Sequence, residues 1–211
     1  MNINFSTIKN IVFDLGNVVI DIDFEITFQA FADILQEPYE KTALFLRKSN
    51  INHRFETGQI TEEELITEIQ AYASVPVTGQ QVVDAWNALL LEMPNERIQR
   101  IQGLEKKYKT LVLSNTNSTH INEVNKRLKD NTGISDLTEL FTDTVYYSHD
   151  IGLAKPDIAI YQHILNDSNL VANETLFIDD KEENILGAQK LGIQTIHLVK
   201  PTTILDVLQD A

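Results

Sequence analysis

The sequence contains no cysteine among its 211 residues. Disulfide bonds, a thiol nucleophile and a cysteine-ligated zinc site are therefore excluded. A chain without disulfides is compatible with a reducing compartment, so we expect a cytoplasmic protein. The histidines are few and scattered, and none has the neighbour spacing that metal ligands show. They are His53, His120, His149, His163 and His197.

Long apolar runs and positive charges are also scarce. No apolar run approaches the roughly 18 residues of a membrane-spanning helix, and the amino terminus lacks the basic and apolar segments of a secretion signal. We therefore expect neither secretion nor a membrane span. Lys and Arg number 17 against 31 Asp and Glu, giving a net charge of −14. This excess of negative charge argues against nucleic acid and anionic membranes as partners, and we expect a monomer or weak homodimer.

Two common nucleotide motifs are missing as well. The chain has neither the G-x-G-x-x-G pattern nor the Walker A pattern. Their absence disfavours a dinucleotide or nucleoside-triphosphate site, even in a fold that alternates strands and helices.

Short aliphatic runs alternate with helical patterns along most of the chain, and 43% of the residues are hydrophobic. Runs of this kind are typical of strands buried in a parallel sheet. The sequence therefore predicts an α/β fold with a Rossmann-like parallel sheet. The predicted strands are residues 11–14, 110–115, 144–148, 175–179 and 195–199.

The segment that follows the first strand has a different pattern. Residues 23–94 show successive helical periodicities and no convincing strand, which predicts an inserted cap domain of about four helices. Residues 1–22 and 95–211 then form the α/β core domain. An insertion at this point lies over the carboxyl edge of the sheet, where ligands bind in such folds.

Polar side chains follow the predicted strands at this edge. Asp14 ends the first run, residues 114–116 (Ser-Asn-Thr) end the second, and Asp179 and Asp180 end the fourth, while Lys155 lies in a loop. A carboxylate can act as a nucleophile, and hydroxyl and amide groups at a helix amino terminus bind anions. Two adjacent carboxylates repel each other unless a cation lies between them, which predicts a divalent metal.

Each segment also has an ordinary structural interpretation. Asp14 can cap a turn, and residues 114–118 (Ser-Asn-Thr-Asn-Ser) can supply a plain N-cap. Lys155 can be a solvated residue ahead of a helix that Pro156 opens, and one carboxylate of residues 179–180 can cap the next helix. The four segments together favour a functional site.

The order of these four segments, at Asp14, Ser114, Lys155 and residues 179–180, resembles the order of the four motifs of the haloacid dehalogenase superfamily of hydrolases. The resemblance covers essentially the whole chain. Residues 13–18 (Phe-Asp-Leu-Gly-Asn-Val) are characteristic of a subgroup that includes bacterial sugar-phosphate phosphatases. Residues 114–117 and 161–163 are most similar to the bacterial α-D-glucose-1-phosphate phosphatases within it.

This resemblance implies a magnesium-dependent phosphomonoesterase that acts on a small phosphorylated metabolite, such as glucose 1-phosphate. Asp14 would attack phosphorus to form an aspartyl-phosphate, and Lys155 would neutralise the developing charge. Ser114, Asn115 and Thr116 would bind the substrate's phosphoryl group.

The resemblance also implies a set of metal ligands. Mg²⁺ would be held by the Asp14 carboxylate, the backbone carbonyl of Gly16 and the Asp180 carboxylate. Asp179 and Asn184 would not contact the ion but would surround the ligands and hold them in position.

One position departs from the superfamily pattern. Most phosphatases of the superfamily carry a second Asp two residues after the nucleophile, as general acid and base, whereas this chain has Gly16. Losing such help costs on the order of 10² to 10⁴ in rate unless another group substitutes. Asp21, Asp23, His53 and Glu56 are candidates, and the sequence favours none of them.

Residues 52–58 resemble the substrate-specificity loop of capped family members, so His53, Arg54 and Glu56 are expected to contact the substrate or to lie in a solvated turn between helices. Two other functions stay open. Gly16 is compatible with a catalytically weak phosphate-binding or metabolite-binding regulator. A metal-free haloacid dehalogenase is disfavoured, because such a site has no reason to gather Asp179 and Asp180.

Overall fold

The computed structural model describes residues 3–211 and contains one parallel sheet of five strands in the order β3-β2-β1-β4-β5. The strands are β1 (Asn10–Phe13), β2 (Lys109–Ser114), β3 (Val145–Tyr147), β4 (Thr175–Asp179) and β5 (Gln194–His197). All five lie where the sequence predicted them, within one or two residues at each end. The α/β class and the parallel sheet are therefore confirmed.

Side chains of the central strands alternate between two apolar layers, because successive residues of a strand point to opposite faces. Ile11 and Phe13 of β1 belong to one buried cluster, and Val12 belongs to the other. Both faces of β1, β2 and β4 are thus covered, which explains why these strands read as continuous aliphatic runs and not as alternating ones.

Five helices lie within residues 23–94, the segment that follows β1. They are α1 (Phe24–Leu35), α2 (Tyr39–Lys48), α3 (Ile51–Glu56), α4 (Glu62–Tyr72) and α5 (Gly79–Asn87). They enclose their own buried cluster, centred on Phe31, Leu65 and Trp86. The expected number of four helices was wrong, because α3 has only six residues, too few to show a periodicity of its own. His53, Arg54 and Glu56 accordingly lie on a helix and not in a turn.

The remaining helices cover the two faces of the sheet. They are α6 (Asn95–Leu104), α7 (Ser118–Thr132), α8 (Leu137–Leu140), α9 (Ser148–Ile151), α10 (Ile158–Asp167), α11 (Glu182–Gln189) and α12 (Ile204–Val207), with a 3₁₀ turn at Ala172–Glu174. Apolar residues of α6, α7, α8 and α12 pack on one face, and those of α10 and α11 pack on the other. Pro156 does not open α10 as expected, since the helix begins at Ile158 with Asp157 as its N-cap.

The helical insertion is fixed to the α/β part by polar and aromatic contacts. The ring of His120, on α7, lies 2.9 Å from the Asn87 side chain through Nδ1 and stacks on Trp86 with the ring centroids 5.8 Å apart. The Thr119 hydroxyl donates to Glu62 at 2.6 Å. These contacts hold α4 and α5 over the amino-terminal end of α7, next to the carboxyl edge of β2.

Among the described residues, no helix is long and apolar enough to cross a membrane.

Candidate active site

The first strand delivers Asp14 to the carboxyl edge of the sheet. Its backbone N–H donates to the carbonyl of Ile178 at 2.9 Å, which extends the pairing of β1 with β4 by one step. Because Phe13 pairs with Ile178, Asp14 and Asp179 follow at the same level of adjacent strands. Parallel pairing in this register therefore brings together two carboxylates that are 165 positions apart in the chain.

Lys155 lies between these two carboxylates. Its Nζ donates to Asp14 Oδ1 at 2.8 Å, to Asp179 Oδ2 at 2.7 Å and to the Leu113 carbonyl at 2.8 Å. Its side chain is 1% exposed, so all three donors of the ammonium are used inside the protein. A buried ammonium with three oxygen acceptors is held in a fixed position, and it joins β1, β2 and β4 at one point.

Asp179 is fully engaged by its surroundings. The Asn184 amide donates to its Oδ1 and Oδ2 at 2.9 and 3.0 Å, and the backbone N–H of Lys181 donates to Oδ1 at 2.8 Å. Together with Lys155, these donors occupy both oxygens of a carboxylate that has no solvent exposure. Asp179 is thus placed to orient Lys155 and the start of α11.

Asp180 is half-buried. Its Oδ2 accepts a hydrogen bond from the Asn17 side chain at 2.9 Å. Asn17 has φ 56°, a left-handed conformation that Asn adopts more readily than most residues, and its Oδ1 accepts from the Ile22 N–H at 3.2 Å. Asn17 was not among the site residues predicted from the sequence, although a polar residue three positions after Asp14 in a sharp turn is a usable signal.

The three carboxylates form a cluster that fits a divalent cation. One oxygen each of Asp14, Asp179 and Asp180 lies within 4.8 Å of the others. Lys155 is the one cation bonded to this cluster in residues 3–211, so two negative charges stay uncompensated when all three carboxylates are ionised. A set of hard oxygen ligands with excess negative charge is the environment that Mg²⁺ prefers.

The electrostatics of the cluster are visible in the pKa of Asp14. Burial away from water, together with the carboxylates of Asp179 and Asp180, raises the pKa of Asp14 to about 7, although Lys155 acts in the opposite direction. Burial acts to lower the pKa of Lys155, but the carboxylates of Asp14 and Asp179 together outweigh it and raise that pKa. Lys155 is therefore charged at neutral pH, while Asp14 retains part of its proton until a cation binds.

The segment after β2 contributes a second group of polar atoms. Ser114 is buried at the strand end, and the Asn115 side chain bonds the backbone of Lys155 in both directions, N–H to Oδ1 at 2.9 Å and Nδ2 to carbonyl at 2.9 Å. The Thr116 N–H donates to the Ser148 hydroxyl at 2.9 Å. Asn115 thus positions the Lys155 loop. The N-cap of α7 is Asn117, so the expected N-cap within residues 114–118 is present, and it leaves Ser114, Asn115 and Thr116 outside that role.

The three residues expected to contact substrate from α3 separate into different environments. Glu56 lines a small cavity of about 50 Å³ together with Gly16 and Ser114. His53 lines a larger neighbouring cavity of about 240 Å³ between the cap helices. Arg54 does not reach either cavity wall, because its guanidinium donates to both carboxylate oxygens of Glu68 at 3.0 and 2.7 Å.

Gly16 lies where a side chain would meet Ile22. A Cβ atom built on Gly16 would lie 2.7 Å from Ile22 Cδ1, closer than such atoms approach in proteins. The backbone conformation itself is not left-handed, so space and not φ limits this position. The Ile22 side chain thus occupies the space that an acidic side chain at position 16 would need.

We expect the substitution Gly16→Asp to lower the free energy of unfolding by about 1 to 3 kcal/mol, because inserting atoms into a filled site forces its neighbour to move. Combining it with Ile22→Val, which removes the Cδ1 methyl, should recover at least about half of that loss. Urea denaturation of the two single variants and the double variant measures this coupling. Gly103→Asp is the control, since a Cβ at Gly103 meets nothing within 4 Å. Additive effects of the two substitutions would show that Ile22 is not the obstacle.

Comparison with known proteins agrees with this geometry. A family model for hydrolases, described as haloacid dehalogenase-like hydrolase, matches residues 8–192. D-ribitol-5-phosphate phosphatase from Bacteroides thetaiotaomicron is 30% identical over 203 residues, which cover 89% of this chain and 90% of that relative.

Two solved structures are similar over nearly the whole chain. A HAD family enzyme from Bacteroides thetaiotaomicron, in complex with magnesium and inorganic phosphate, has a TM-score of 0.83 at 32% identity and covers 92% of this chain and 96% of its own. A HAD-like family hydrolase from Porphyromonas gingivalis has a TM-score of 0.86 at 31% identity, with 97% of both chains covered.

Proposed function

Because the chain belongs to the haloacid dehalogenase-like hydrolase family, we infer that it is a magnesium-dependent phosphomonoesterase acting through an aspartyl-phosphate. The observation that supports this function most is the buried ammonium of Lys155, which bridges Asp14 and Asp179 at the carboxyl edge of the sheet. The relative crystallised with magnesium and inorganic phosphate supports the choice of metal and substrate group.

Mg²⁺ would be held by the carboxylates of Asp14 and Asp180 and by the backbone carbonyl of Gly16. The close approach of the carboxylates and their uncompensated charge fit this ion. When bound, Mg²⁺ neutralises phosphoryl oxygens and fixes their orientation relative to Asp14. Asp179 would not bind the ion itself but would hold Lys155 in position, and Asn184 would fix the Asp179 carboxylate.

The chain's own residues then divide the work of phosphoryl transfer. Asp14 attacks phosphorus with its Oδ2, while its Oδ1 stays bonded to Lys155. The Ser114 hydroxyl and the backbone N–H of Asn115 bind phosphoryl oxygens, and Thr116 lines the same cavity. Lys155 keeps its charge throughout and stabilises the negative charge that develops around Asp14. Water then attacks the aspartyl-phosphate and regenerates Asp14.

Residues 23–94 would serve as the cap domain over a core of residues 1–22 and 95–211. The cavity between the cap helices adjoins the cavity beside Gly16, since Phe24 and Leu89 line both. Its wall combines aromatic rings with polar side chains, among them Trp86, Asn52 and His53. Such a lining suits a small polyol or sugar as the part of the substrate that leaves.

The substrate class is therefore a small phosphorylated sugar or sugar alcohol. The relative named for ribitol 5-phosphate supports a linear sugar-alcohol phosphate. The sequence resemblance to glucose-1-phosphate phosphatases stays a prediction, and both compounds belong in the same assay.

We expect the purified protein to release phosphate from p-nitrophenyl phosphate and from at least one sugar or sugar-alcohol phosphate when Mg²⁺ is present. Removing the metal with EDTA should lower the rate on the order of 10² or more, since a Lewis acid contributes several kcal/mol to such a transition state. Phosphate release with and without Mg²⁺ measures this effect. Ribitol 5-phosphate, glucose 1-phosphate and glucose 6-phosphate form the substrate panel, and chloroacetate tests for dehalogenation.

Each alternative function predicts a different result in this assay. A phosphate-binding regulator would bind phosphate or a panel compound in calorimetry and release none. A dehalogenase would free chloride from chloroacetate in EDTA. Either result would overturn the phosphatase.

A further inference from the structure

The leaving group of a phosphate ester poses a chemical problem that Gly16 does not solve. An alcohol leaves as a strongly basic alkoxide unless a proton reaches its oxygen as the bond to phosphorus breaks. A positioned acid typically contributes 10² to 10⁴ to the rate of such a step. Gly16 has no side chain to supply that proton.

The cavity beside Gly16 contains two titratable side chains in its lining among residues 3–211, Glu56 and His120. His120 is unsuited to donate a proton, because burial lowers the pKa of its ring to about 3 and the ring is therefore neutral at physiological pH. Its Nδ1 also faces Asn87 at 2.9 Å, and the ring stacks on Trp86. His120 is thus part of the contact between the cap and the core.

Three other candidates from the sequence have different positions. Asp21 lies within 3.2 Å of the Arg97 guanidinium, and Asp23 caps α1 by accepting from the Glu25 N–H at 2.9 Å. His53 lines the cavity between the cap helices and not the one beside Gly16. Glu56 is the remaining carboxyl that shares a cavity with Gly16 and Ser114.

We propose that Glu56, carried by the cap, is the general acid that protonates the leaving oxygen, in place of a side chain at position 16. This role rests on the proposed phosphatase function. In the first step the bond from Asp14 to phosphorus forms, the bond from phosphorus to the leaving oxygen breaks, and the proton of Glu56 passes to that oxygen. In the second step water attacks phosphorus, Asp14 leaves, and the water proton returns to Glu56.

The surroundings of Glu56 are compatible with an acid that keeps its proton. Burial raises the pKa of Glu56, and this effect exceeds the opposing influence of the Asn52 side chain and of the charges on Lys181, His53 and Lys155. These groups come from the loop before α10, the N-cap of α11 and α3 itself. Closing the cavity around a substrate would remove more water and act in the same direction.

The variant Glu56→Gln tests the proposal through two substrates with different leaving groups. p-Nitrophenolate leaves readily without a proton, whereas the alkoxide of a sugar-alcohol phosphate does not. We expect the first-turnover rate constant at saturating substrate, which reports formation of the aspartyl-phosphate, to fall by about 10² to 10³ for the best alkyl phosphate and by less than about threefold for p-nitrophenyl phosphate. The return of the proton to Glu56 belongs to the second step, which is common to both substrates. The ratio of the two rates is independent of how much of the preparation is folded. For the alkyl phosphate, the wild-type rate constant of this first step should decrease as pH rises through the Glu56 pKa, and this limb should be absent from the variant.

Glu63→Gln is the matched control, because Glu63 is an exposed carboxylate of the same cap and should leave both rates unchanged. An equal loss on both substrates would show that Glu56 only positions the cap, and unchanged rates on both would assign the acid to another group. Either outcome contradicts the role proposed for Glu56 but is compatible with the proposed phosphatase function. A wild-type protein that hydrolyses none of the substrates would instead remove the phosphatase itself.

Discussion

Replacing Asp14 with Asn is expected to lower turnover of every phosphate ester by a factor on the order of 10⁴ or more, because no other side chain can form the covalent intermediate. The variant keeps the shape of the site. Its amide oxygen can still accept the hydrogen bond that Lys155 Nζ now donates to Asp14 Oδ1 at 2.8 Å. The loss should therefore appear in kcat for p-nitrophenyl phosphate as fully as for an alkyl phosphate.

The same variant is expected to be more stable than the wild type when no metal is present. Burial and the neighbouring carboxylates raise the pKa of Asp14 from 3.8 to about 7 in the folded protein. Between those values the unfolded chain releases the proton and the folded chain keeps it, so the free energy of unfolding decreases as pH rises. The Asn variant lacks this loss and should gain about 1 to 4 kcal/mol above pH 7, and nothing near pH 4.

Urea unfolding of both proteins at a series of pH values, with EDTA and then with Mg²⁺, measures this difference. Mg²⁺ should stabilise the wild type and have little effect on the variant, because the ion binds the carboxylate that the variant lacks. Asp130→Asn, at an exposed position of α7, is the control and should follow the wild type under all conditions. Residual turnover within tenfold of the wild type would mean that another residue attacks phosphorus.

The sheet and the four motif segments could be predicted from sequence for a physical reason. A strand buried on both faces reads as an aliphatic run, and a polar residue at its end marks the carboxyl edge. Asp14 and Asp179 are therefore visible as candidates, and the parallel register places them together. The residues that hold them are visible only in part. The Lys181 N–H bonds Asp179 and the Asn17 side chain bonds Asp180, each through one hydrogen bond to the carboxylate, and a single polar contact has no periodicity to reveal it.

The helices of residues 23–94 were harder to predict, again because short segments show no periodicity. Helix α3 has six residues, so its apolar side chains, Ile51 and Phe55, do not establish a repeat. Arg54 and Glu56 are two positions apart on it, and this spacing points them in different directions on a helix. One pairs with Glu68 and the other lines the cavity beside Gly16, a difference that depends on how α3 packs and not on its composition.

The substitution Lys155→Met should destabilise the protein by about 3 to 5 kcal/mol at neutral pH in the absence of metal, because it leaves buried carboxylates without a partner. The ammonium of Lys155 bonds Asp14 and Asp179 at 2.8 and 2.7 Å, and the side chains of these two carboxylates are only 11% and 0% exposed. Turnover should fall by about 10² or more, since the developing charge loses its stabilising cation. The stability loss should shrink as pH falls, because the carboxylates then take up protons. Chemical denaturation at neutral and acidic pH measures it.

Two further variants decide whether charge is the cause. Adding Asp14→Asn to Lys155→Met removes one of the two stranded charges, so the double variant should be more stable than Lys155→Met alone by more than Asp14→Asn stabilises the wild type. Lys9→Met is the control, because Lys9 pairs with Glu174 at 2.8 Å on the surface with 68% of its side chain exposed, and such pairs contribute about 0 to 1 kcal/mol. Strictly additive effects of the two site substitutions would mean that Lys155 stabilises the fold by packing against Phe177 and not by neutralising Asp14. The substitution Lys155→Arg should reduce both stability and turnover relative to the wild type, even though it keeps the positive charge. A planar guanidinium cannot direct three donors into the space that one ammonium fills.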